Sequence, residues 1–401
     1  MTETKSKPHH KVLIVGGGTA GICVAARLAK KLPKDSIAII DPATKHYYQP
    51  LWTLVGGGVG TREETERDQA SLIPSGVNWI HDAVTALDPD GNRVSLRSGA
   101  SVSYDFLIVC PGIQLDWHKV KGLEGNVGKH GICSNYSYES VQHTWPMIQA
   151  TKNGTALFTH PSTPIKCGGA PQKIMYLAES TFQKTGVRPN VDVQFICGMG
   201  SSFAVPRYQH ALDAVMQKRN ITPTYLHDLV EIRPEEQIAV FGKVDDLEQR
   251  IEKPYSMIHV TPPMSAPDFI KNSPLANAGG WCDVDQHTMQ SPKYSNVFAL
   301  GDASSLPTSK TGAAIRKQAP ACASNVLLAM EGKQPTVKYD GYTSCPLVTD
   351  YGKLILAEFD YDKNLKETFP FDQSKERWSM YMLKKHVLPK LYWHGMLKGR
   401  A

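Results

Sequence analysis

Eight cysteines stand in the 401-residue chain, and no two form a C-x-x-C pair, which argues against a zinc ribbon. Two lie in loops rich in Gly and Pro. Cys167 sits in Thr163-Pro-Ile-Lys-Cys-Gly-Gly-Ala-Pro-Gln172, and Cys345 in Gly341-Tyr-Thr-Ser-Cys-Pro-Leu-Val348. The thiolate is the nucleophilic form of cysteine and a neighbouring cation favours it, so Lys166 beside Cys167 is expected to activate that thiol. Such loops let a flat cofactor approach closely. Cys133, in Gly131-Ile-Cys-Ser-Asn-Tyr136, is a third candidate. Cys23 and Cys322 fall on predicted helices, Cys110 and Cys197 at strand ends, and Cys282 beside Trp281, where inert packing is the ordinary role.

A second chemistry is written near the amino terminus. Lys11-Val-Leu-Ile-Val15 reads as a buried parallel strand and runs into Gly16-Gly-Gly-Thr-Ala-Gly21, which satisfies G-x-G-x-x-G. A helix is predicted over Ile22 to Leu32, then a second strand, Ser36-Ile-Ala-Ile-Ile-Asp41, ending in an acid. Gly16 permits the tight turn, Gly18 lets the backbone approach a pyrophosphate, and Gly21 brings helix and strand close. The helix amides meet the negative charge and Asp41 accepts a ribose hydroxyl.

Whether the dinucleotide is FAD or NAD is decided far downstream. Tyr294-Ser-Asn-Val-Phe-Ala-Leu-Gly301-Asp302 is another strand ending in Gly-Asp, followed by Pro307-Thr-Ser-Lys-Thr-Gly-Ala-Ala314 and a helix. This resembles flavoproteins of the glutathione-reductase type, whose Asp binds the ribityl chain and whose helix start stabilises negative charge on the flavin. Tyr104-Asp-Phe-Leu-Ile-Val-Cys-Pro-Gly112 resembles the strand closing their FAD half, so FAD is the expected cofactor. A member of that group would carry C-x-x-x-x-C soon after the second strand, yet residues 41–60 hold no cysteine. The second dinucleotide site looks degenerate. Val191 to Cys197 is a strand, but Gly198-Met-Gly-Ser-Ser-Phe203 puts Phe203 at the third glycine, where its ring would obstruct helix–strand packing. Pro206 is expected to interrupt the next few residues.

The wider contexts resemble the sulfide:quinone oxidoreductases, closest to the branch with the mitochondrial enzymes. The resembling stretches are His46-Tyr-Tyr-Gln-Pro-Leu-Trp-Thr-Leu-Val-Gly56, Ile73-Pro-Ser-Gly-Val-Asn-Trp79, Pro164 to Tyr176, His259-Val-Thr-Pro-Pro-Met-Ser265, Val297 to Ala314, Lys338 to Val348 and Glu367 to Arg377. The resemblance implies that Cys167 and Cys345 form a redox pair. Hydrosulfide attacks it and leaves a persulfide, and the freed thiolate, that of Cys345, passes two electrons to FAD and on to ubiquinone or another membrane quinone. The sulfane sulfur leaves on a small sulfur acceptor. It also implies FAD contacts from Thr19, Ala20, Asp41, Gln49, Val84, Asp302 and the helix start Gly312, Ala313, Ala314, Ile315, beside Gly16, Gly18, Gly21, Gly112 and Gly301 of the motifs. Phe359, Phe369 and Phe371 become candidates for a quinone channel, with core packing as the alternative. Asp41 stands where the family commonly has Glu, and Cys133 matches a third cysteine of other branches. No metal site is expected.

These groups need a scaffold. At about 150 residues per domain the length predicts two to three domains. The expected fold class is α/β: two tandem Rossmann-like domains plus a C-terminal amphipathic membrane-associating region. The divisions are 1–112 with 275–335 for FAD, 113–274 for the degenerate second domain, and 336–401 for the quinone and membrane interface. The formal charge is +6, and residues 375–401, with seven basic side chains against Glu376, hold all of it. The rest is neutral, so nucleic acid is not expected. Basic residues interleaved with Trp378, Met380, Tyr381, Leu383, Tyr392 and Trp393 read as two short helices, broken at Pro389, lying on a membrane surface. A helix pair packed on the body, or a seam between copies in a homo-oligomer, would show the same pattern. No apolar run approaches the roughly 20 residues of a membrane span, and Met1 to His10 carry no apolar signal core, so a peripheral position on the cytoplasmic face is expected. The competing readings are a type II NADH:quinone oxidoreductase, which needs the site Phe203 obstructs, a flavocytochrome sulfide dehydrogenase, which needs an export signal, and a flavin-stabilised binding protein without turnover.

Overall fold

A computed structural model describes residues 8–401. The run that read as a buried strand forms His9–Val15, with Val12, Leu13 and Ile14 fully enclosed. It lies between Ile37–Ile40 and Ser101–Val109, parallel to both. Val77–Ile80 extends the sheet on one side. On the other side Ser101–Val109 is shared. Its first half pairs antiparallel with Arg93–Leu96 and its second half pairs parallel with Val297–Ala299, Val297 opposite Leu107. That return of the chain sets Gly301 and Asp302 at the carboxyl ends of the parallel strands, beside the Gly16 loop, where ligands of open α/β sheets bind.

A second, five-stranded parallel sheet runs Ile132–Cys133, Met257–His259, Gly154–His160, Val191–Cys197 and Thr222–Tyr225. The helix Ala170–Lys184 packs on it and on the hairpin Thr343–Asp350/Lys353–Phe359. Phe203 is buried edge-on against Tyr208 and Phe359 in the loop after Val191–Cys197. Its ring therefore fills core where a glycine would leave room. Pro206, expected to interrupt, instead opens the helix Pro206–Lys218 at a position whose N–H needs no partner.

The tail departs from expectation. Trp378 to Lys398 is helical throughout, with wide five-residue turns at Leu383–Val387 and Leu391–Gly395 on either side of Pro389. Proline breaks a regular helix because its ring meets a carbonyl one turn back, and the wide turns carry that carbonyl aside. Tyr392, Met396 and Leu397 are buried against the first sheet's core, so packing on the body accounts for part of the aromatic pattern. Trp378 (66% exposed) and Val387 (51%) stay outside, with Lys390, His394 and Lys398. Among the described residues no helix is long and apolar enough to cross a membrane.

Candidate functional site

The glycine loop is built as a cradle. Gly16 has φ +103°, and a Cβ there would lie 2.5 Å from the Cys110 carbonyl. A Cβ on Gly21 would lie 1.9 Å from the Gly16 carbonyl. Gly18 differs: its φ of −72° suits any residue, and nothing lies within 4 Å of a built Cβ. Its backbone faces open space at the start of the helix Thr19–Leu28, whose first N–H groups have no intrahelical partner. Asp41 braces the loop, accepting from the Gly17 N–H at 2.6 Å and the Ala43 N–H at 2.7 Å, while burial raises its pKa. Each oxygen keeps a lone pair for a ribose hydroxyl. Ala20 packs close to Gly301, itself at φ +72°. Val84 comes four residues after Ile80, whose carbonyl receives the Asp41 amide. Gly112 has φ +86° and opens onto free space. These features fit an FAD pyrophosphate and ribose.

The loop that opens the downstream helix centres on Lys310 and Thr311. Lys310 Nζ donates to the carbonyls of Asp302 (2.7 Å) and Ser304 (3.2 Å) and lies 3.8 Å over the Trp281 ring. Burial pushes it down to about 8 and raises the Asp302 carboxyl. Thr311 caps the helix Gly312–Met330 by accepting from the Ala314 N–H, leaving the early amides of Gly312 and Ala313 turned to the space in front, with Ala314 and Ile315 buried behind them.

Both candidate sulfurs are tied to that loop. The Cys167 N–H donates to the Lys310 carbonyl at 2.9 Å, and Thr343, two residues before Cys345, meets Thr311 hydroxyl to hydroxyl at 2.9 Å. Cys167 and Cys345 thereby stand with Sγ atoms 3.4 Å apart, beyond a disulfide bond length of about 2.05 Å. Cys167 has φ +57°, a left-handed conformation rare outside Gly and Asn, and strain of this kind concentrates at functional sites. Gly169 makes the approach possible, since a Cβ there would lie 2.8 Å from Cys345 Sγ and 2.2 Å from Leu347.

The cation at the thiol is not the one expected. Lys166 Nζ turns away, donating to Gln49 Oε1 (2.7 Å) and the Tyr136 carbonyl (3.0 Å). Lys173, one helical turn along Ala170–Lys184 and only 3% exposed, donates to Cys167 Sγ at 3.0 Å. The Cys345 thiol and Lys173 together hold Cys167 well below the usual thiol range, and Cys345 is raised by the anion beside it. Lys384 of the tail, also 3% exposed, donates to the Pro50 carbonyl at 2.9 Å. Burial and the charge of Lys173 push it down to about 7, while the sulfurs oppose that fall. Lys173 is pushed up to about 12 by the two cysteines against its own burial. Raising the pH through neutrality thus removes the Lys384 charge and keeps that of Lys173.

The other candidates sit elsewhere. Cys133 is fully enclosed, faces Thr144 and is pushed up to about 12 by burial, with no hydrogen bond to the pair. Phe359 is core, whereas Phe369 and Phe371 stack at 5.3 Å in a separate cluster with Met380, Tyr381 and Leu383 of the tail. Phe359 and the Phe369–Phe371 pair thus pack in different clusters. Among the described residues no cluster of His, Cys, Asp or Glu suits a metal. Lys173, Lys384 and Gly169 were missed by sequence reasoning. The Gly168-Gly169 pair was the one available signal.

Residues 10–143 match the pyridine nucleotide-disulphide oxidoreductase family. A curated relative from Mus musculus, named mitochondrial sulfide:quinone oxidoreductase, is 49% identical over 394 residues, 98% of this chain and 88% of its own. One of the same name from Dictyostelium discoideum is 47% identical over 99% of this chain and 88% of its own. These names lend no support to a position on the cytoplasmic face. The X-ray structure of the sulfide:quinone oxidoreductase from Aquifex aeolicus has a TM-score of 0.82 at 19% identity, covering 98% of this chain and 92% of that one, a likeness of fold.

Two outcomes are expected. Gly18→Ala meets no protein atom, so folding should be unchanged while FAD affinity falls at least about tenfold, measured by flavin fluorescence, because the pyrophosphate needs that space. Lys173→Met should move the pH at which Cys167 alkylation reaches half its maximal rate upward by about one unit, tracked by peptide mass spectrometry across pH. In Lys384→Met the same rate should lose its inflection near neutral pH.

Proposed function

Since the chain belongs to the sulfide:quinone oxidoreductase family, and FAD is its cofactor, we propose that Cys167 and Cys345 are the pair through which this enzyme oxidises sulfide. The observation that carries the reading is the 3.4 Å approach of two sulfurs 178 positions apart, both anchored to the loop that opens the Gly312–Met330 helix.

Hydrosulfide attacks Cys167 Sγ of the Cys167–Cys345 disulfide. A new S–S bond forms, the old one breaks, and Cys345 leaves as a thiolate. Lys173 and Lys384 interact with both sulfurs and stabilise the anion whether it rests on the Cys167 persulfide or on Cys345. A small nucleophile, such as sulfide or a thiol, then takes the outer sulfur and frees the Cys167 thiolate. The two thiolates re-form the disulfide and give up two electrons. FAD, when bound, supplies the acceptor that carries those electrons to quinone. Lys310 and the free amides at Gly312 and Ala313 hold positive potential where that negative charge arrives. Phe203, packed edge-on against Tyr208 and Phe359, supports a reading in which the second dinucleotide site holds no pyridine nucleotide.

The quinone is read as arriving along the tail, where Phe369 and Phe371 stack beneath Met380 and Leu383, with the Arg377 guanidinium 4.2 Å over Phe371. The exposed side of the tail, with Trp378, Val387, Lys390 and Lys398, is read as resting on a lipid surface. Each cation near anionic headgroups contributes about 1 kcal/mol.

Anaerobic sulfide should bleach the flavin absorbance of the purified enzyme, and both Cys167→Ser and Cys345→Ser should abolish this while retaining FAD. Cys133→Ser should bleach normally. Bleaching by NADH without sulfide would favour the NADH-linked reading instead. Removing the tail would expose Tyr392 and Leu397, so the membrane is better probed on its outer face. Trp378→Glu with Lys390→Glu should lower co-sedimentation with anionic vesicles several-fold and leave the sulfide-driven bleaching intact.

A further inference from the structure

The tail that reaches the sulfur pair through Lys384 reaches the glycine loop eight residues later. Tyr392 is 3% exposed, and its hydroxyl lies 2.8 Å from Thr19 Oγ1 and 2.5 Å from His46 Nε2. His46 Nδ1 lies 3.1 Å from Gln69 Oε1, and Gln69 Nε2 donates to the Gly17 carbonyl at 2.8 Å. His46 and Gln69 are both enclosed.

Donors and acceptors fix the direction of this chain. The Gly17 carbonyl can only accept, so the Gln69 amide nitrogen faces it and the Gln69 oxygen faces His46. His46 Nδ1 therefore carries the proton, Nε2 accepts from the Tyr392 hydroxyl, and that oxygen accepts from Thr19. Every polar atom in the chain is used. Burial lowers His46 to about 4, so the ring stays neutral and the chain keeps one direction across physiological pH. The tail also grips the far end of the same helix: the Gly399 carbonyl accepts from Lys30 Nζ at 2.6 Å, and the Ala401 carbonyl accepts from Arg27. Only Thr19 and Gln69 touch the glycine motif directly, and none of these contacts reaches the sulfur pair.

We propose that Tyr392 is a positioning residue for FAD. Through Thr19 on one side, and His46 and Gln69 on the other, its hydroxyl holds the Gly16–Gly21 loop in the conformation that receives the pyrophosphate. Docking of the tail and binding of FAD are then coupled, and linkage makes the coupling reciprocal: the docked tail tightens FAD, and FAD tightens the tail. This rests on Gly16–Gly21 being the pyrophosphate loop.

The test uses the full-length protein stripped of flavin and titrated with FAD. Tyr392→Phe keeps the ring on Tyr48, 4.5 Å between centroids, and removes only the hydroxyl. It should weaken FAD about tenfold, as expected for a satisfied buried hydrogen bond whose partners are left unpaired, with the melting midpoint of the flavin-free protein falling less than that of the FAD-bound protein. Adding Gln69→Leu should cost little more than the worse single change, because the two act through one chain. In the unaltered protein, FAD should slow tryptic release of the tail at Lys390 and Lys398 several-fold, and this protection should shrink in Tyr392→Phe. Unchanged FAD affinity in Tyr392→Phe, a flavin-free midpoint that falls as far as the flavin-bound one, or tail cleavage indifferent to FAD would each overturn the proposal. Unchanged affinity in Gly18→Ala would overturn the loop assignment beneath it, which separates the two failures.

Discussion

The site depends on one short loop shared by two parts of the chain. The Lys310 carbonyl holds the Cys167 amide, and the Thr311 hydroxyl caps a helix while meeting Thr343. Cys167 and Cys345 come from different segments, and neither has local reason to be near the other. Their meeting results from both being tied to residues 310 and 311, and Gly169 leaves the space for it. Because the same loop opens the helix Gly312–Met330, the sulfurs and the electropositive helix start are set in one rigid piece. Groups held this way need no reorganisation at the moment of reaction.

The electrostatics arise from that enclosure. Lys173 and Lys384 are buried, and Lys166 and Lys310 are half-buried nearby, with Asp302 offsetting the latter two. Burying ammonium groups costs stability, and it is tolerated where an anion compensates. Here the compensation comes from sulfur: the cysteines raise Lys173 to about 12 and resist the fall of Lys384. Positive charge held at the two sulfurs favours thiolate over thiol. The tail joins this system from outside, through Lys384 at the sulfurs and Tyr392 at the glycine loop.

Much of the frame was legible in the sequence. The Val12 to Val15 strand, the Gly16–Gly21 turn, Asp41 and the Gly301-Asp302 return were readable because each depends on local spacing. The pairing of Cys167 with Cys345 was legible only by resemblance, since no local signal spans 178 positions. The reading of Lys166 failed because Cys167 at φ +57° turns the chain, so the sequence neighbour faces Gln49 while Lys173 comes round one helical turn later. Lys384 was unreadable because a buried lysine in an amphipathic tail looks like a solvated one. Pro389 misled because wide turns on either side absorb it.

For Cys167 and Cys345 to pass electrons to FAD, both sulfurs must stand against one face of the flavin. A crystal structure of the FAD-loaded enzyme measures it directly. The expected result is one of Cys167 Sγ and Cys345 Sγ in van der Waals contact with the isoalloxazine ring, about 4 Å away, with the other beside it. Both sulfurs separated from the ring by an intervening layer of side chains would contradict it.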